Sequence, residues 1–335
     1  MVTIKDIARE SGYSVSTVSR VLNNRRDVSP AAKEKIEEVV AQYHFIPNNN
    51  AKHLKQTASK TVVILVKGTS NMLFADIVEE IQCMLEKTDY TSVVAYLDEL
   101  EDEVQQAIQI CWERKPVGLL FLGGNPDNFR QNFDKVEVPS VLVTNRGDKL
   151  GYDHLASVAT DDIAAAECAI DYLYEQGHRR IGIIGGGVVY SHTSSQRFNG
   201  CMKSFQKHGL QFEQDRQFAT ARFGFKSAYH AMEELLEKNQ DLTAVFAMSD
   251  VMAVGAIRAL KDHGLDVPGD ISVIGFDGIL LADYYNPKLT TIRQQYKMLA
   301  KRSVEILFHM VDFKTPAVHE IIPFELAAGE SVRKL

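Results

Sequence analysis

Two polar residues in the second half of the chain have side chains suited to hold a ligand rich in hydroxyl groups. Asp277 follows the apolar run Ile271 to Phe276, which predicts a carboxylate at the end of a buried strand, where it can accept hydrogen bonds from two neighbouring hydroxyls. Arg197 can donate two hydrogen bonds from its planar guanidinium. The same pair could instead form a salt bridge between two lobes. The position of Asp277 after a strand thus predicts a polar ligand site, to which a guanidinium such as that of Arg197 could contribute, with an internal ion pair as the alternative.

Patterns typical of cofactor, metal and nucleophile chemistry are weak in this chain. Gly185 to Gly187 follow a predicted strand, as in a dinucleotide-binding loop, but that fingerprint needs glycine or alanine where Tyr190 stands. No Ser, His and Asp set has nucleophile-elbow spacing, and the ten histidines show no metal-ligand pairing. The single, widely spaced cysteines indicate buried free thiols: Cys83, Cys111, Cys168 and Cys201. We therefore expect neither an enzyme nor a cofactor or metal site.

The charge of the chain is divided unevenly between its start and the remainder. Residues 1–60 hold ten Lys and Arg against six Asp and Glu, a net charge of +4, whereas the whole chain of 335 residues carries −7. The other 275 residues therefore carry −11. A basic segment on an acidic body favours a polyanionic partner for the basic part. A solvated basic surface is the alternative that charge alone leaves open.

Two short helices joined by a tight turn are predicted for the basic segment. Thr3 to Asp6 fit a capping box and open a helix from about Ile4 to Glu10. Gly12 can take a positive φ without strain and so ends that helix. Ser14 is a suitable cap for a second helix, about Val15 to Leu22. This arrangement predicts a helix-turn-helix.

The second helix has one apolar face and one face without any carboxylate. Its core-facing residues are predicted to be Val18, Val21 and Leu22. The residues on the other face are small, uncharged or basic: Val15, Ser16, Ser19 and Arg20. Such a face can enter a groove between phosphates without repulsion, so we expect it to meet a nucleic acid.

A third helix and a polar segment follow. Ser29 and Pro30 predict a helix from Pro30 to about Tyr43, whose apolar residues complete a three-helix core: Ile36, Val39, Val40 and Tyr43. Residues 48–55 are polar and basic with one isolated leucine, and they are too few to form a stable helix alone. They are expected to order only on a partner, with a plain linker as the alternative.

From Thr61 onward, short apolar runs alternate with amphipathic stretches. The runs read as buried strands near residues 62–66, 93–96, 117–122, 138–143, 181–184, 244–248 and 271–276. Helical stretches lie between them. Strands alternating with helices indicate doubly wound parallel sheets, and the length suffices for two. Ligands bind such sheets at the carboxyl ends of the strands, so we expect a site in a crevice between two lobes.

The first 54 residues resemble the lactose-repressor and galactose-repressor family of bacterial transcription regulators. The stretches that carry the resemblance are Thr3 to Ala8, Ser16 to Asn23, and Pro47 to Leu54. The resemblance implies that the second helix reads base edges in the major groove. It also implies that residues 48–55 form a hinge helix in the minor groove, where Leu54 is inserted between base steps. The DNA-binding residues so implied are Thr3, Val15, Ser16, Thr17, Ser19, Arg20, Asn23, Asn48, Ala51, Lys52 and Leu54.

The body resembles the same family and, through it, the sugar-binding lobes of periplasmic binding proteins. The matching runs include Gly177 to Gly182, Met248 to Gly255 and Pro268 to Gly278. The resemblance implies an α/β fold in which the chain crosses between the lobes three times. The domains then fall at 1–47 for the head, 48–60 for the hinge, and 61–335 for the body, with an N-lobe of 61–159 plus 290–320 and a C-lobe of 160–289 plus 321–335.

The resemblance also implies which residues hold the effector. The residues at those positions, with neighbouring polar candidates, are Phe74, Asn145, Arg146, Arg197, Phe223, Ser249, Asp277 and Tyr296. Met72-Leu73-Phe74 replaces a frequent Pro-Phe-Phe, and Ser249 replaces a frequent Asn. The identity of the effector is therefore not transferable from the family.

Together these observations predict a homodimeric, operator-binding transcription regulator, a repressor, switched by a small polar effector of the sugar class. No apolar run approaches the roughly 18 residues that cross a bilayer, and the start lacks a secretion signal, so a cytoplasmic location is expected. The alternatives are a sugar-binding protein without DNA function and an NAD-dependent protein.

Overall fold

The structure is a computed structural model that describes residues 4–22, 28–43, 60–68 and 71–335. The chain divides into two compact units, Met1–Thr57 and Ala58–Leu335. Among the described residues, no helix is both long and apolar enough to cross a bilayer.

Within its described residues, the first unit contains three helices: α1 Ile4–Ser11, α2 Val15–Leu22 and α3 Pro30–Gln42. Gly12 has a φ of +77° after α1, as its position at the helix end requires. The Ser14 hydroxyl accepts a hydrogen bond from the backbone N–H of Thr17 at 3.2 Å, and Ser29 caps α3 in the same way. The predicted helix-turn-helix is therefore present.

The core of this unit lies between all three helices. Ile7, Val18 and Ile36 are fully buried, one from each helix. The assignment of Tyr43 to this core is wrong, because α3 ends at Gln42 and the tyrosine is exposed. The apolar residues predicted from helical spacing therefore contribute to the core only as far as α3 extends.

The first of two sheets in the second unit has six strands. They are β1 Thr61–Lys67, β2 Thr91–Leu97, β3 Gly118–Leu122, β4 Ser140–Val143, β5 Leu155–Thr160 and β11 His319–Ile322. Their order is β11-β5-β4-β3-β1-β2, and all neighbours are parallel. The centre of β1 is buried throughout, because helices cover both faces of a parallel sheet.

The second sheet also has six strands. They are β6 Ile181–Gly185, β7 Phe218–Thr220, β8 Ala244–Ala247, β9 Ser272–Asp277, β10 Thr290–Gln294 and β12 Phe324–Ala327. Their order is β12-β10-β9-β8-β6-β7, and only the β10–β12 pair is antiparallel. The predicted architecture of two doubly wound sheets is confirmed.

Helices cover the sheets in each lobe. In the first lobe they are α4 Met72–Leu85, α5 Glu103–Arg114, α6 Pro126–Asn132 and, later in the chain, α13 Tyr296–Asp312. The helices between them in sequence are α7 Asp162–Glu175, α8 His192–Lys207, α9 Gln214–Gln217, α10 Phe225–Lys238, α11 Asp250–Asp262 and α12 Leu280–Tyr284. The short strands β5, β7, β10, β11 and β12 lie outside the predicted set of strands.

The predicted lobe boundaries need correction at all three crossings. Strand β10 pairs with β9 in the second sheet, so the chain returns to the first lobe after Gln294 and not at 290. Strand β11 completes the first sheet through Ile322, and Thr160 is still part of β5. The predicted segments 290–320 and 160–289 therefore shift by a few residues, because strand pairing carries each run to the sheet edge before the chain crosses.

The three crossings lie side by side. Thr160 is in register with Ile322 in the first sheet, and Gln294 is in register with Phe324 in the second. The Thr160 hydroxyl donates a hydrogen bond to Gln294 Oε1 at 2.9 Å. A buried side-chain bond therefore links the two sheets directly at their crossing points.

Candidate functional site

A cavity of about 310 Å³ lies between the two lobes of the second unit. Its wall includes residues at the carboxyl ends of strands from both sheets: Lys67, Gly123, Thr144, Asn145, Gly186, Thr220, Asp277 and Gln294. This is the place where open parallel sheets bind ligands. We refer to its buried end around Asp277 as the base of the cleft.

Arg197 is the central cation of the base. It is 5% exposed and donates from Nε to Asp162 Oδ1 at 2.8 Å and from Nη1 to the carbonyl of Met248. Its Nη2 lies 3.7 Å from Asp277 Oδ1, and the guanidinium stacks on the ring of Phe276 at 3.6 Å. The arginine is thus held by several partners in a fixed orientation.

Asp277 ends β9 and is 2% exposed. Its Oδ1 accepts a hydrogen bond from Gln294 Nε2 at 2.8 Å. Burial raises the pKa of this carboxyl to about 6, although the charge of Arg197 opposes that shift. Burial also raises the pKa of Asp162. The base therefore holds acidic groups at an energetic cost, which is typical of functional sites.

The turn after Asp277 is held by hydrogen bonds to the side chain of Asp250. Asp277 has a φ of +116°, a backbone conformation that residues other than glycine rarely adopt. Asp250 Oδ2 accepts hydrogen bonds from the backbone N–H groups of Gly278 at 2.7 Å and Ile279 at 2.9 Å, and its Oδ1 accepts one from Thr291. These bonds hold the strained turn and with it the Asp277 carboxylate.

Two aromatic rings line the cavity from opposite lobes. A Cβ on Gly123, which has a φ of +75°, would lie 2.7 Å from the ring of Phe74. A Cβ on Gly186 would lie 3.1 Å from the ring of Phe223. Each ring therefore packs closely against a glycine that follows a strand, and a Cβ at Gly123 would clash with the ring of Phe74. Apolar ring faces together with polar groups suit the two kinds of surface that a sugar presents.

The opposite end of the cavity, which we call the mouth, is bridged by an ion pair between the lobes. Arg222 of the second lobe donates from Nη2 to both oxygens of Asp98, at 2.7 and 2.9 Å, and from Nε to Glu99 at 3.2 Å. Leu100 and Tyr190 also line the cavity here, although they are 77% and 78% exposed. The mouth is therefore an exposed rim, unlike the base.

Asn145 and Lys67 also belong to the wall on the side of the first lobe. Asn145 donates to the carbonyl of Gly124 at 2.9 Å and accepts from the hydroxyl of Thr193 in the second lobe at 3.1 Å. Lys67 forms a buried ion pair of 2.6 Å with Glu103. Asn145 thus touches both lobes, and the charge of Lys67 is already balanced.

Of the eight predicted effector residues, the structure brings five together in the cavity wall and leaves three outside it. The five are Phe74, Asn145, Arg197, Phe223 and Asp277. Arg146 pairs with Asp148 at the surface, and the Ser249 hydroxyl caps α11 by accepting from Met252. Tyr296 begins α13 and packs against the core of the first lobe. None of these three belongs to the wall of the cavity.

Several wall residues were missed by the sequence analysis. Gln294 ends a strand next to the one that ends at Asp277, so the same strand-end rule could have found it. Loop residues gave no such signal; those at the mouth are Glu99, Leu100, Tyr190 and Arg222. Among the described residues, no group of three His, Cys, Asp or Glu is positioned to hold a metal ion.

The first unit presents the predicted reading face of α2 to solvent. Val15, Ser16 and Arg20 are exposed, whereas Thr17 and Ser19 are partly buried. Val18 and Val21 point into the core, as predicted. The other predicted DNA-binding residues lie outside the described residues: Thr3, Asn23, Asn48, Ala51, Lys52 and Leu54, together with most of the hinge at 48–60.

Comparison with known proteins identifies both units. Residues 3–48 match the family described as bacterial regulatory proteins, lacI family, and residues 170–332 match the periplasmic binding protein-like domain. The chain is 37% identical to the HTH-type transcriptional regulator MalR of Clostridium butyricum, over 98% of each chain. It is 31% identical to the ribose operon repressor of Haemophilus influenzae, over 93% of this chain and 92% of that one.

Among solved structures, the transcriptional regulator CelR-cellobiose complex superimposes with a TM-score of 0.73 at 26% identity, over 99% of this chain and 100% of that one. Near full-length similarity to named regulators covers the helix-turn-helix and both lobes. The resemblance noted in the sequence is thus confirmed, and the chain belongs to the lacI family of bacterial transcription regulators.

Proposed function

We propose that this regulator is a repressor that binds operator DNA through α2 and releases or strengthens that binding when a small polar effector of the sugar class occupies the cleft. The chain has a binding function and no catalytic one in this proposal, because its named relatives are transcription regulators. It acts in the bacterial cytoplasm, where the operator lies, and it needs no cofactor.

The observation that carries the DNA-binding proposal is the exposed face of α2. Val15, Ser16 and Arg20 stand out from a helix whose other face is buried in the core of the unit. No carboxylate lies on α2, so the helix can approach phosphates without repulsion. An arginine on such a helix can donate two hydrogen bonds to guanine.

A homodimer follows from the size of the reading element. A single helix-turn-helix covers only half of a symmetric operator, and two-fold operators are matched by two-fold proteins. We expect half-sites about one helical turn apart. Sedimentation of the full chain at micromolar concentration should give a dimer, and a monomer or tetramer would contradict this part of the proposal.

The DNA proposal is tested by operator selection from random duplexes followed by fluorescence anisotropy. Arg20→Ala should weaken binding to the selected operator by about 1 to 3 kcal/mol and relax the preference at one base pair. Arg9→Ala is the matched control, because Arg9 lies on α1 and pairs with Asp6. An equal loss on random DNA would make Arg20 a phosphate contact, and no sequence preference in the wild type would overturn the proposal.

Effector binding in the cleft is supported by the arrangement of donors and acceptors at its base. Arg197, Asp277 and Asn145 offer several hydrogen-bonding atoms around a cavity with apolar rings, which suits a polyhydroxylated ring. The CelR structure carries cellobiose, and the ribose operon repressor is named for a sugar operon. These relatives favour a sugar over other small polar molecules.

A thermal-shift screen of sugars, sugar phosphates and nucleobases tests the effector class. A ligand at 100 times its Kd adds about 2.7 kcal/mol to the stability of a protein that binds it only when folded. Asp277→Asn should abolish the response to the best sugar while leaving operator binding intact. A response to a purine alone would overturn the sugar assignment.

We propose further that residues 48–55 carry the signal between the two units. An effector can change DNA affinity only through its different affinities for two arrangements of the protein, typically a coupling of about 1 to 3 kcal/mol. Leu54→Ala should reduce specific DNA binding and spare effector affinity measured without DNA. Amide exchange at 48–55 should slow on operator DNA, and protection already present in the free protein with or without effector would contradict this hinge role.

A further inference from the structure

We propose that the cleft takes a neutral disaccharide, with its inner ring at the base on Arg197 and Asp277 and its outer ring at the mouth between Leu100 and Tyr190. This inference rests on the proposed effector function and adds a second subsite to it.

The cavity extends beyond its buried base to the exposed rim. Its wall runs from Asp277, which is 2% exposed, to Leu100 and Tyr190, which are more than three-quarters exposed. A volume of about 310 Å³ lies at the lower end of the roughly 300 to 1,000 Å³ that accept drug-sized ligands. A ligand that fills this space extends from the buried base to the rim.

The mouth presents apolar side chains from both lobes to a ligand. Leu100 follows β2 in the first lobe, and Tyr190 precedes α8 in the second. Both side chains are part of the cavity wall, so each can contact a ligand that extends to the rim. The flat face of a tyrosine and the methyl groups of a leucine suit the C–H face of a sugar ring.

Both side chains stand on ordered turns. In the first lobe, the backbone N–H of Leu100 donates to Asp98 Oδ1 at 3.1 Å, and that aspartate is held by Arg222. In the second lobe, the backbone N–H of Tyr190 donates to the carbonyl of Gly187 at 3.0 Å. The outer subsite is therefore largely formed before a ligand arrives, which lowers the entropy lost on binding.

The charge of the cavity wall favours a neutral ligand. Its Lys and Arg side chains within the described residues are each already bonded to carboxylates: Lys67 to Glu103, Arg197 to Asp162, and Arg222 to Asp98 and Glu99. A phosphate would find no unbalanced positive charge among these groups, and it would also meet the carboxylate of Asp277. An uncharged disaccharide needs no such charge and meets no such repulsion.

The test is isothermal titration of the full chain with maltose, cellobiose, glucose and glucose 6-phosphate. We expect at least one disaccharide to bind, and Tyr190→Ala to weaken it by about tenfold or more while leaving glucose affinity unchanged. Tyr190→Phe keeps the ring and should retain most of the affinity. Val189→Ala is the matched control, because Val189 is 82% exposed beside Tyr190 but is not part of the cavity wall.

The outcomes separate this inference from the proposed function. Glucose binding that equals disaccharide binding, with no effect of Tyr190→Ala or Leu100→Ala, would overturn the outer subsite and leave a sugar effector in place. Preferred binding of glucose 6-phosphate would overturn the neutral charge of the ligand. No binding of any sugar, with a response to another compound class in the thermal screen, would overturn the proposed effector itself.

Discussion

The base and the mouth of the cleft both hold an arginine between two carboxylates, yet their surroundings differ completely. Arg197 at the base is almost fully buried between Asp162 and Asp277, whereas the side chain of Arg222 at the mouth is 57% exposed beside Asp98 and Glu99. The base groups have lost their water, so each is costly to leave without a partner. At the mouth, each charged group can replace its ion-pair partner with water at little cost in free energy.

This difference divides the work of the cleft. A buried, fixed set of donors and acceptors orients a ligand and rejects one that leaves a group unsatisfied. An exposed ion pair between lobes can break and form again as ligand enters and leaves. The same residue types therefore give rigidity at one end and reversibility at the other, and the following four predictions test that contrast.

Arg197→Ala is expected to have the largest effect on stability. It leaves Asp162 and Asp277 buried without their shared cation, and breaking one partner of a buried pair costs about 3 to 5 kcal/mol. Urea denaturation, followed through the unfolding transition of the second unit, measures the loss of stability. Arg258→Ala is the control, because its pair with Asp262 is exposed on one helix. Equal losses in the two variants would refute the contrast.

The pH dependence of stability is expected to be the next largest effect. The pKa of Asp277 is about 6 in the folded protein, above the ordinary 3.8, so the folded state binds this proton more tightly. The unfolding free energy should therefore fall as pH rises from about 4 to about 6, by about 3 kcal/mol from this group. In Asp277→Asn that part of the slope should vanish, and denaturation at several pH values compares the two proteins. An unchanged slope would contradict the assignment.

Thr160→Val should have an intermediate effect. It removes the hydrogen bond to Gln294 at the crossings and leaves the buried Gln294 carbonyl without its donor, at a cost of about 1 to 3 kcal/mol. Thr61→Val is the matched control, since the hydroxyl of Thr61 bonds that of Thr91 at an exposed position. Thermal denaturation should rank the two variants in that order, and the reverse order would show that the crossings tolerate the loss.

Arg222→Ala should have the smallest effect on stability and a visible one on kinetics. Loss of the exposed ion pair of Arg222 with Asp98 and Glu99 should leave the unfolding midpoint nearly unchanged and speed the release of a bound sugar a few-fold. Because exposed pairs are screened, the difference from the wild type should shrink in about 1 M salt. Stopped-flow release at low and high salt measures this. A loss of stability comparable to that of Arg197→Ala would mean that the mouth is as rigid as the base.

The sequence predicts the fold well because the fold depends on local patterns. Apolar runs give the main strands, and Ser14, Ser29 and Gly12 give helix limits that the structure reproduces. Short strands such as β7 and β12 are missed, because a few residues of ordinary polarity become strands only when a sheet edge is there to pair with them.

The candidate site is predictable only where it coincides with a strand end. Asp277 follows from its place after an apolar run, and Arg197 from its match to the family. Ser249 has the same position after a strand, but its hydroxyl is used to cap the next helix, a use that the sequence signal does not distinguish. The mouth residues lie on loops, and their proximity depends on how the two lobes meet, which no local pattern encodes.

The bond between Thr160 and Gln294 has a mechanical consequence. Because the three crossings lie side by side at this point, a rotation of one lobe against the other would have its axis close to Gln294. Asp277 bonds that glutamine and therefore sits near the fulcrum, where a given rotation moves atoms least. Leu100 and Tyr190, at the mouth, lie farthest from that axis, where the same rotation moves atoms most. Contacts at the base would then fix the orientation of a ligand. Contacts at the mouth, which act at a greater distance from the axis, would exert the larger torque toward closing the lobes.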